Sequence, residues 1–336
     1  MRVSAFCLMA CMAALFTPPG HAWADDCKPL QLVNSVKLEP IENDDRFTVP
    51  VQINGHAEHL TVDSGSPLTM LSLDAAKRLD LKLRGSLLSS SDVKGERSSA
   101  QAIADNFDLG SAHAQNFYFD IYAGRLGGSA GLMSPTTFSR SDIDFDFGAR
   151  RLNIFSRDHC EGRVAYWPER PLAVIPVDIK AGHLNVPVTV DSRPMRAILD
   201  TGATITVMTD TAAWRIMGIQ PGSADAPEIA ETKSGPDMKY YSHPFASLNF
   251  GGVNVENPKI IIMTDHSGTE THPVGSTGSR LSTEGNARSP DLIVGMNVLT
   301  HLHLYIAYGE EKLYITPAGT ESALPKSALP SGGPSN

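Results

Sequence analysis

The chain has 336 residues, 41% of them hydrophobic and 19% charged, a balance that suits a packed globular protein rather than a disordered one. The formal net charge is −9 and no dense Lys/Arg block occurs, which argues against nucleic acid as a partner. The length allows two domains.

Residues 1–24 read as a signal peptide. Arg2 gives a positive start, Val3 to Phe16 form an apolar run, and Ala22-Trp23-Ala24 is a small-residue cleavage site. Lipid attachment at Cys11 is the weaker alternative, because Met9 fits that pattern badly. No later segment reaches the roughly 18 unbroken apolar residues of a spanning helix. The mature chain is therefore expected to begin near Asp25 and to be exported without stable membrane insertion. Cleavage leaves two cysteines, Cys27 and Cys160. One disulfide is the expectation in an oxidising compartment, with two unpaired thiols as the alternative.

An internal repeat organises the rest of the chain. Residues 47–76 align with 184–213 at a constant offset of 137. Val49-Pro50-Val51 falls on Val186-Pro187-Val188, and Asp63-Ser64-Gly65 on Asp200-Thr201-Gly202. Residues 107–122 then align with 248–263 at offset 141, Gly131 with Gly295 at offset 164, and 146–155 with 307–316 at offset 161. The drift points to longer loops in the second copy, chiefly the Ser/Thr/Gly-rich insertion 264–291.

Each copy has a β pattern. Val49, Val51 and Ile53 alternate with polar or small residues before the Asn54-Gly55 turn signal, and Leu60 and Val62 lead into Asp63. In the second copy Val186, Val188 and Val190 turn near Asp191-Ser192 and return into Asp200. Short helices are expected over 73–79 and 210–217. The expected domains are 25–160 and 173–316, joined by a linker at 161–172 and followed by a flexible Pro/Gly/Ser-rich tail at 317–336.

The stretch LTVDSGSPL at 60–68 admits two chemistries. It echoes the GDSGGPL of trypsin-like serine proteases, which would make Ser64 a nucleophile. That chemistry needs a His well before the Ser, yet the only His-Cys pair, His159-Cys160, comes after it. Ser64 also aligns with Thr201, whereas Asp63 aligns with another Asp. The repeated features are the carboxylate and the glycine.

Asp200-Thr201-Gly202-Ala203-Thr204, with Leu292-Ile293-Val294-Gly295-Met296 downstream, resembles the retropepsin/pepsin superfamily of aspartic proteases. The resemblance covers roughly residues 30–316, as two retropepsin-like units in one chain. It implies an all-β, bilobal acid protease fold with pseudo-two-fold symmetry and little helix. Asp63 and Asp200 would be the catalytic pair. Two carboxyls held that close share one proton, so one serves as general base and the other as general acid toward a water. The resemblance also implies that Ser64 and Thr201 exchange hydrogen bonds across the halves. Gly65 and Gly202 let the backbone turn tightly. Ser66 is expected to hydrogen-bond Asp63, where Ala203 has no hydroxyl, which would favour Asp63 as the ionised partner. Gly131, in Gly128-Ser129-Ala130-Gly131, stands in for Gly295 in a less apolar setting, and Pro67 is unusual beside the motif. By position, flap hairpins fall at 92–101, with Gly95, and at 231–242, with Gly235; Tyr240 and Tyr241 are candidate subsite residues.

Other polar clusters point nowhere specific. His56 and His59, and His301 and His303, lack further ligands at metal-binding spacing. Asp142, Asp144 and Asp146 alternate with apolar residues and read as the solvent face of an edge strand. Neither a metal nor a cofactor is expected. The whole reads as an exported, periplasmic or secreted bacterial aspartic endopeptidase, a monomer acting on polypeptide. The alternative is a catalytically weak peptide-binding or regulatory module on the same fold. Two buried carboxylates held together at a desolvation cost speak against that alternative.

Overall fold

The computed structural model describes residues 27–91, 97–122, 128–167, 172–180, 182–229, 239–264 and 290–319. The signal-peptide segment, both flap tips with Gly95 and Gly235, most of the 264–291 insertion and the tail beyond residue 319 lie outside the described residues.

The first half runs β1 (Leu32–Lys37), β2 (Glu39–Pro40), β3 (Phe47–Ile53), β4 (His56–Val62), β5 (Met70–Ser72), α1 (Leu73–Arg78), β6 (Lys82–Ser91), β7 (Arg97–Leu109), β8 (Ala112–Tyr122), β9 (Gly131–Met133), a 3₁₀ turn (Pro135–Phe138), β10 (Ser141–Asp146) and β11 (Arg151–Ser156). The second half runs β12 (Ala173–Pro176), β13 (Asp178–Lys180), β14 (His183–Val190), β15 (Arg193–Leu199), β16 (Thr206–Thr209), α2 (Asp210–Ala212) with a π turn (Ala213–Met217), β17 (Tyr240–Ser242), β18 (Ser247–Phe250), β19 (Val253–Glu256), β20 (Ile260–Met263), β21 (Leu292–Val294), α3 (Met296–Leu299), β22 (Leu302–Ala307) and β23 (Lys312–Pro317). Three sheets result. One of eight strands belongs to the first half, one of nine to the second, and a six-stranded sheet draws on both. The fold is the all-β, bilobal one expected. No helix among the described residues is long and apolar enough to cross a membrane.

Local chemistry explains the elements. Val49, Val51 and Ile53 of β3 are buried while Pro50 and Gln52 are exposed, so the period-two pattern has found its core face. The hairpin tips at Asn54-Gly55 and Asp191-Ser192 have positive φ at both central residues, the geometry that matches strand twist. Ser72 and Thr209 occupy matching places and cap α1 and α2, accepting from Ala75 N and Ala212 N.

The repeat is expressed in strand register. β5 runs parallel to β8 with Met70 opposite Asp120; β16 runs parallel to β20 with Val207 opposite Ile261. β4 runs parallel to β9 with Leu60 opposite Gly131, and β15 parallel to β21 with Ala197 opposite Leu292. That last pair corrects the alignment. Gly131 corresponds to Leu292, and the residue matching Gly295 is Ser134. The offset there is 161, as it is further on, so the extra length of the second half lies entirely before β21. Matching one glycine to another misled because each has its own reason to lack a side chain. A Cβ on Gly131 would fall 2.0 Å from Met70 O, whereas one on Gly295 would fall 2.6 Å from the Ile205 carbonyl carbon.

The six-stranded sheet joins the halves in the order β1-β11-β10-β22-β23-β12. Asp144 of β10 pairs with Tyr305 of β22, its own repeat counterpart, so the pseudo-two-fold axis passes through this pair. Asp142, Asp144 and Asp146 are not solvent-facing; all three are buried. β10 lies inside the sheet, and the chain after β11 folds over the face its carboxylates occupy. His159 Nε2 lies 2.6 Å from Asp142 Oδ2 and His303 Nε2 2.6 Å from Asp144 Oδ1. Tyr166 donates to Asp144 at 2.7 Å, and Trp167 stacks on His303 at 4.0 Å. Strand alternation alone cannot distinguish water from a second protein layer that supplies donors.

Cys27 and Cys160 form a disulfide across 133 positions of sequence. Closing so long a loop removes unfolded-chain entropy worth about 3–5 kcal/mol. Replacing both cysteines by Ser should lower the unfolding free energy by about that much in a denaturant titration. A change below about 1 kcal/mol would show that the bridge does little for stability.

Candidate active site

Asp63 follows β4 and Asp200 follows β15, so each carboxyl sits where a buried strand ends in a tight loop. The loops are built alike. Gly65 N donates to Asp63 Oδ1 at 2.9 Å and Gly202 N to Asp200 Oδ1 at 2.8 Å. Asp63 N donates to Met133 O, and Asp200 N to Val294 O, both at 2.9 Å. The two carboxyls lie within hydrogen-bonding reach of each other. Asp63 and Asp200 are 0% and 1% exposed. Burial, then the charge of Asp200, pushes the Asp63 carboxyl well above the usual carboxylate range. Asp63 Oδ2 meets no N–H or O–H donor among the described residues. A proton on one of the two carboxyls satisfies both observations. Such a proton belongs to the pair rather than to either residue.

The loops are locked to each other reciprocally. Ser64 N donates to Thr201 Oγ1 and Thr201 N to Ser64 Oγ, both at 2.9 Å. Ser64 Oγ donates onward to Leu199 O at 2.8 Å, and Thr201 Oγ1 to Val62 O at 2.9 Å. Every group is buried, so removing either hydroxyl strands polar atoms away from water. Ser64→Ala or Thr201→Val should each cost about 2–4 kcal/mol in thermal or denaturant unfolding. The double variant should cost less than the sum, because the two share partners. Strict additivity would show that the bonds do not act together.

Gly202 brings the halves into contact. A Cβ on it would lie 2.4 Å from Asp63 Cγ, 2.5 Å from Oδ1 and 2.7 Å from Oδ2. The carboxyl of one half therefore rests on the bare backbone of the other.

Ser66 behaves differently from its expectation. Its hydroxyl donates to Leu68 O at 2.7 Å, not to the Asp63 carboxylate. The loop turns so that the hydroxyl satisfies its own backbone, and what Ser66 contributes toward the ionised form of Asp63 comes from its backbone N–H instead. Tyr240 and Tyr241 lie on β17 and are buried, with Tyr241 in the principal core.

Ser134 is a site residue that sequence reasoning passed over. In the second half, Met296 N donates to Ala203 O at 2.7 Å and Asn297 N to Thr204 O at 3.1 Å, fastening the Asp200 loop to α3. The counterpart of Met296 is Pro135, which has no N–H. There Ser134 Oγ donates to Ser66 O at 2.6 Å, and Thr136 Oγ1 donates to Pro67 O at 2.9 Å. Hydroxyls replace amides because a proline has taken one amide away. Ser134→Gly, which restores the letter found in the second half, should therefore destabilise by about 1–3 kcal/mol. A neutral effect on the unfolding midpoint would contradict this substitution of donors. The clue in the sequence was Ser134-Pro135, legible once the register is known.

Two β halves that each present one Asp-Ser/Thr-Gly loop to a common axis define a bilobal acid protease with two retropepsin-like units. The chain belongs to the aspartyl protease family, whose model matches residues 49–134 and 186–298, together more than half of its length. No curated protein matches the chain.

Proposed function

We propose that this chain is an exported aspartic endopeptidase in which Asp63 and Asp200 activate a water against a peptide carbonyl. One observation carries the reading: two buried carboxyls on equivalent loops, within hydrogen-bonding reach of each other, with their Oδ1 atoms held by Gly65 N and Gly202 N. The ionised member takes a proton from the water as its oxygen bonds to the carbonyl carbon. The protonated member gives its proton to the carbonyl oxygen. The resulting diol collapses by breaking the C–N bond. The proton taken from water passes to the amine, and one diol hydroxyl becomes the carbonyl of the new acid as it returns its proton to the carboxyl pair. The buried setting holds that proton in place and strengthens each electrostatic contact.

Export rests on the signal peptide at 1–24 and on the Cys27–Cys160 bridge, which suits a periplasmic or extracellular compartment. We assign the halves as 25–160 and 173–316 with 161–172 between them, and a tail from 317. Both half-sites lie in one chain, so a monomer suffices. Incubation with an unstructured polypeptide from pH 3 to 7 should give internal cleavage products with free amines and no trapped acyl-enzyme. Binding without cleavage at any of these pH values would overturn the reading in favour of a peptide-binding module.

A further inference from the structure

The turn between β2 and β3 reaches from the first half to the second. Ile41 N donates to Arg46 O at 3.1 Å and Asp44 N to Ile41 O at 3.2 Å, closing a short loop. Arg46 grips Asp44 as a fork: Nε lies 3.0 Å from both carboxylate oxygens and Nη2 2.6 Å from Oδ2. Arg46 N also donates to Asp44 Oδ1 at 2.9 Å. Across the interface, Arg46 Nη1 reaches Gly202 O at 3.4 Å, and Thr204 Oγ1 donates to Asp44 Oδ1 at 3.3 Å. The pair thus docks on the loop that carries Asp200. Both side chains are mostly buried, 22% and 16% exposed, so water screens them less than it screens a surface ion pair.

We propose that Arg46 is a positioning residue for the dyad, a fixed cation that stabilises negative charge on Asp63 and Asp200 and whose strength Asp44 sets. This deepens the proposed function and rests on its reading of the dyad. The charges acting on Arg46 are those of Asp44, Asp63 and Asp200. An interaction between charges is mutual, so Arg46 favours ionisation of the carboxyls as much as they favour its protonation. It opposes the burial and repulsion that push Asp63 up. Without a cation there, the second carboxyl would ionise only at higher pH and the working one-proton form would move with it. Glu42 and Asp45 of the same turn are exposed. The titratable residue at the matching place in the other half is His183, buried beside Gly182, whose bare Cα packs on Pro67.

The test is a ¹³C-carboxyl NMR titration of the intact protein labelled at aspartate, with the dyad assigned by Asp63→Asn and Asp200→Asn. Arg46→Met should move both apparent dyad pKa values up by about 0.5–1 unit. Asp44→Asn, which leaves the cation unopposed, should move both down by a similar amount. Arg46→Lys should hold them near wild type while lowering stability, since charge is kept and the fork is lost. Opposite signs from two neighbouring substitutions cannot arise from general loosening. Unmoved values in Arg46→Met and Asp44→Asn, or shifts of the same sign, would overturn the proposal. Should Arg46→Met fail to fold, the sign of the Asp44→Asn shift decides alone. His183→Gln in each background checks that the shifts do not come from the histidine. A wild-type dyad that titrates as two independent, ordinary carboxyls would sink the catalytic reading instead, which keeps the two failures distinct.

Discussion

Asp63→Asn and Asp200→Asn should each lower peptide cleavage by about 10³- to 10⁴-fold while leaving the fold intact. An amide keeps the shape of the carboxyl but neither takes a proton from water nor gives one to a carbonyl. The double variant should be little worse than either single one, because the two groups act as one unit. Stability adds an independent check. The Asp63 carboxyl lies above its unfolded value because it is buried, with Asp200 beside it. The folded protein therefore binds that proton more tightly than the unfolded chain does. The stability this contributes is fully present below the unfolded pKa and is lost as pH rises through the folded one. Asp63→Asn removes the dependence. Its unfolding free energy should vary less with pH, and at neutral pH it should equal or exceed that of the wild type. A variant that keeps near-normal cleavage, or that loses stability steeply at neutral pH alone, would contradict the assigned role.

Gly202→Ala should also be damaging, though less so, even though it touches no reacting proton. Its methyl would fall within 2.4–2.7 Å of the Asp63 carboxyl, closer than real contacts allow. The loop, the carboxyl or the interface between the halves must shift. A displacement near 1 Å in a catalytic pair costs about 10²-fold in rate. Overpacking at a filled contact adds about 1–3 kcal/mol of destabilisation. Gly85→Ala is the control. No described residue lies within 4 Å of the Cβ it would add, so both activity and the unfolding midpoint should stay close to wild type. Equal, small effects at the two positions would show that Asp63 does not rest on the opposite backbone as described.

The parts of this architecture that were legible in the sequence are those the repeat displays. The alignment at offset 137 pairs the two Asp-Ser/Thr-Gly loops, and the hydrogen bonds between Ser64 and Thr201 span those same paired positions. The turns at Asn54-Gly55 and Asp191-Ser192 and the caps at Ser72 and Thr209 were open to local rules, because their chemistry is local. What stayed hidden depends on distant segments. The burial of Asp142 and Asp144 comes from His159, Tyr166 and His303, which reach them from another loop and from the other half. Ser134 was masked by a glycine three residues earlier that looked like the better match. Arg46 is one charged residue ahead of a strand, and nothing in its neighbours indicates that its guanidinium meets the backbone of Gly202. The hydroxyl of Ser66 went astray for a related reason: which acceptor it meets depends on how the Pro67 turn is fastened to Ser134 and Thr136.

The shared proton is the centre of the mechanism, and neutron diffraction from crystals held near pH 5 observes it directly. The expected result is a single deuteron shared by the carboxyls of Asp63 and Asp200, with their Oδ1 atoms accepting from Gly65 N and Gly202 N. A deuteron on each carboxyl, none on either, or side chains turned away from each other would contradict the assignment of this pair as acid and base.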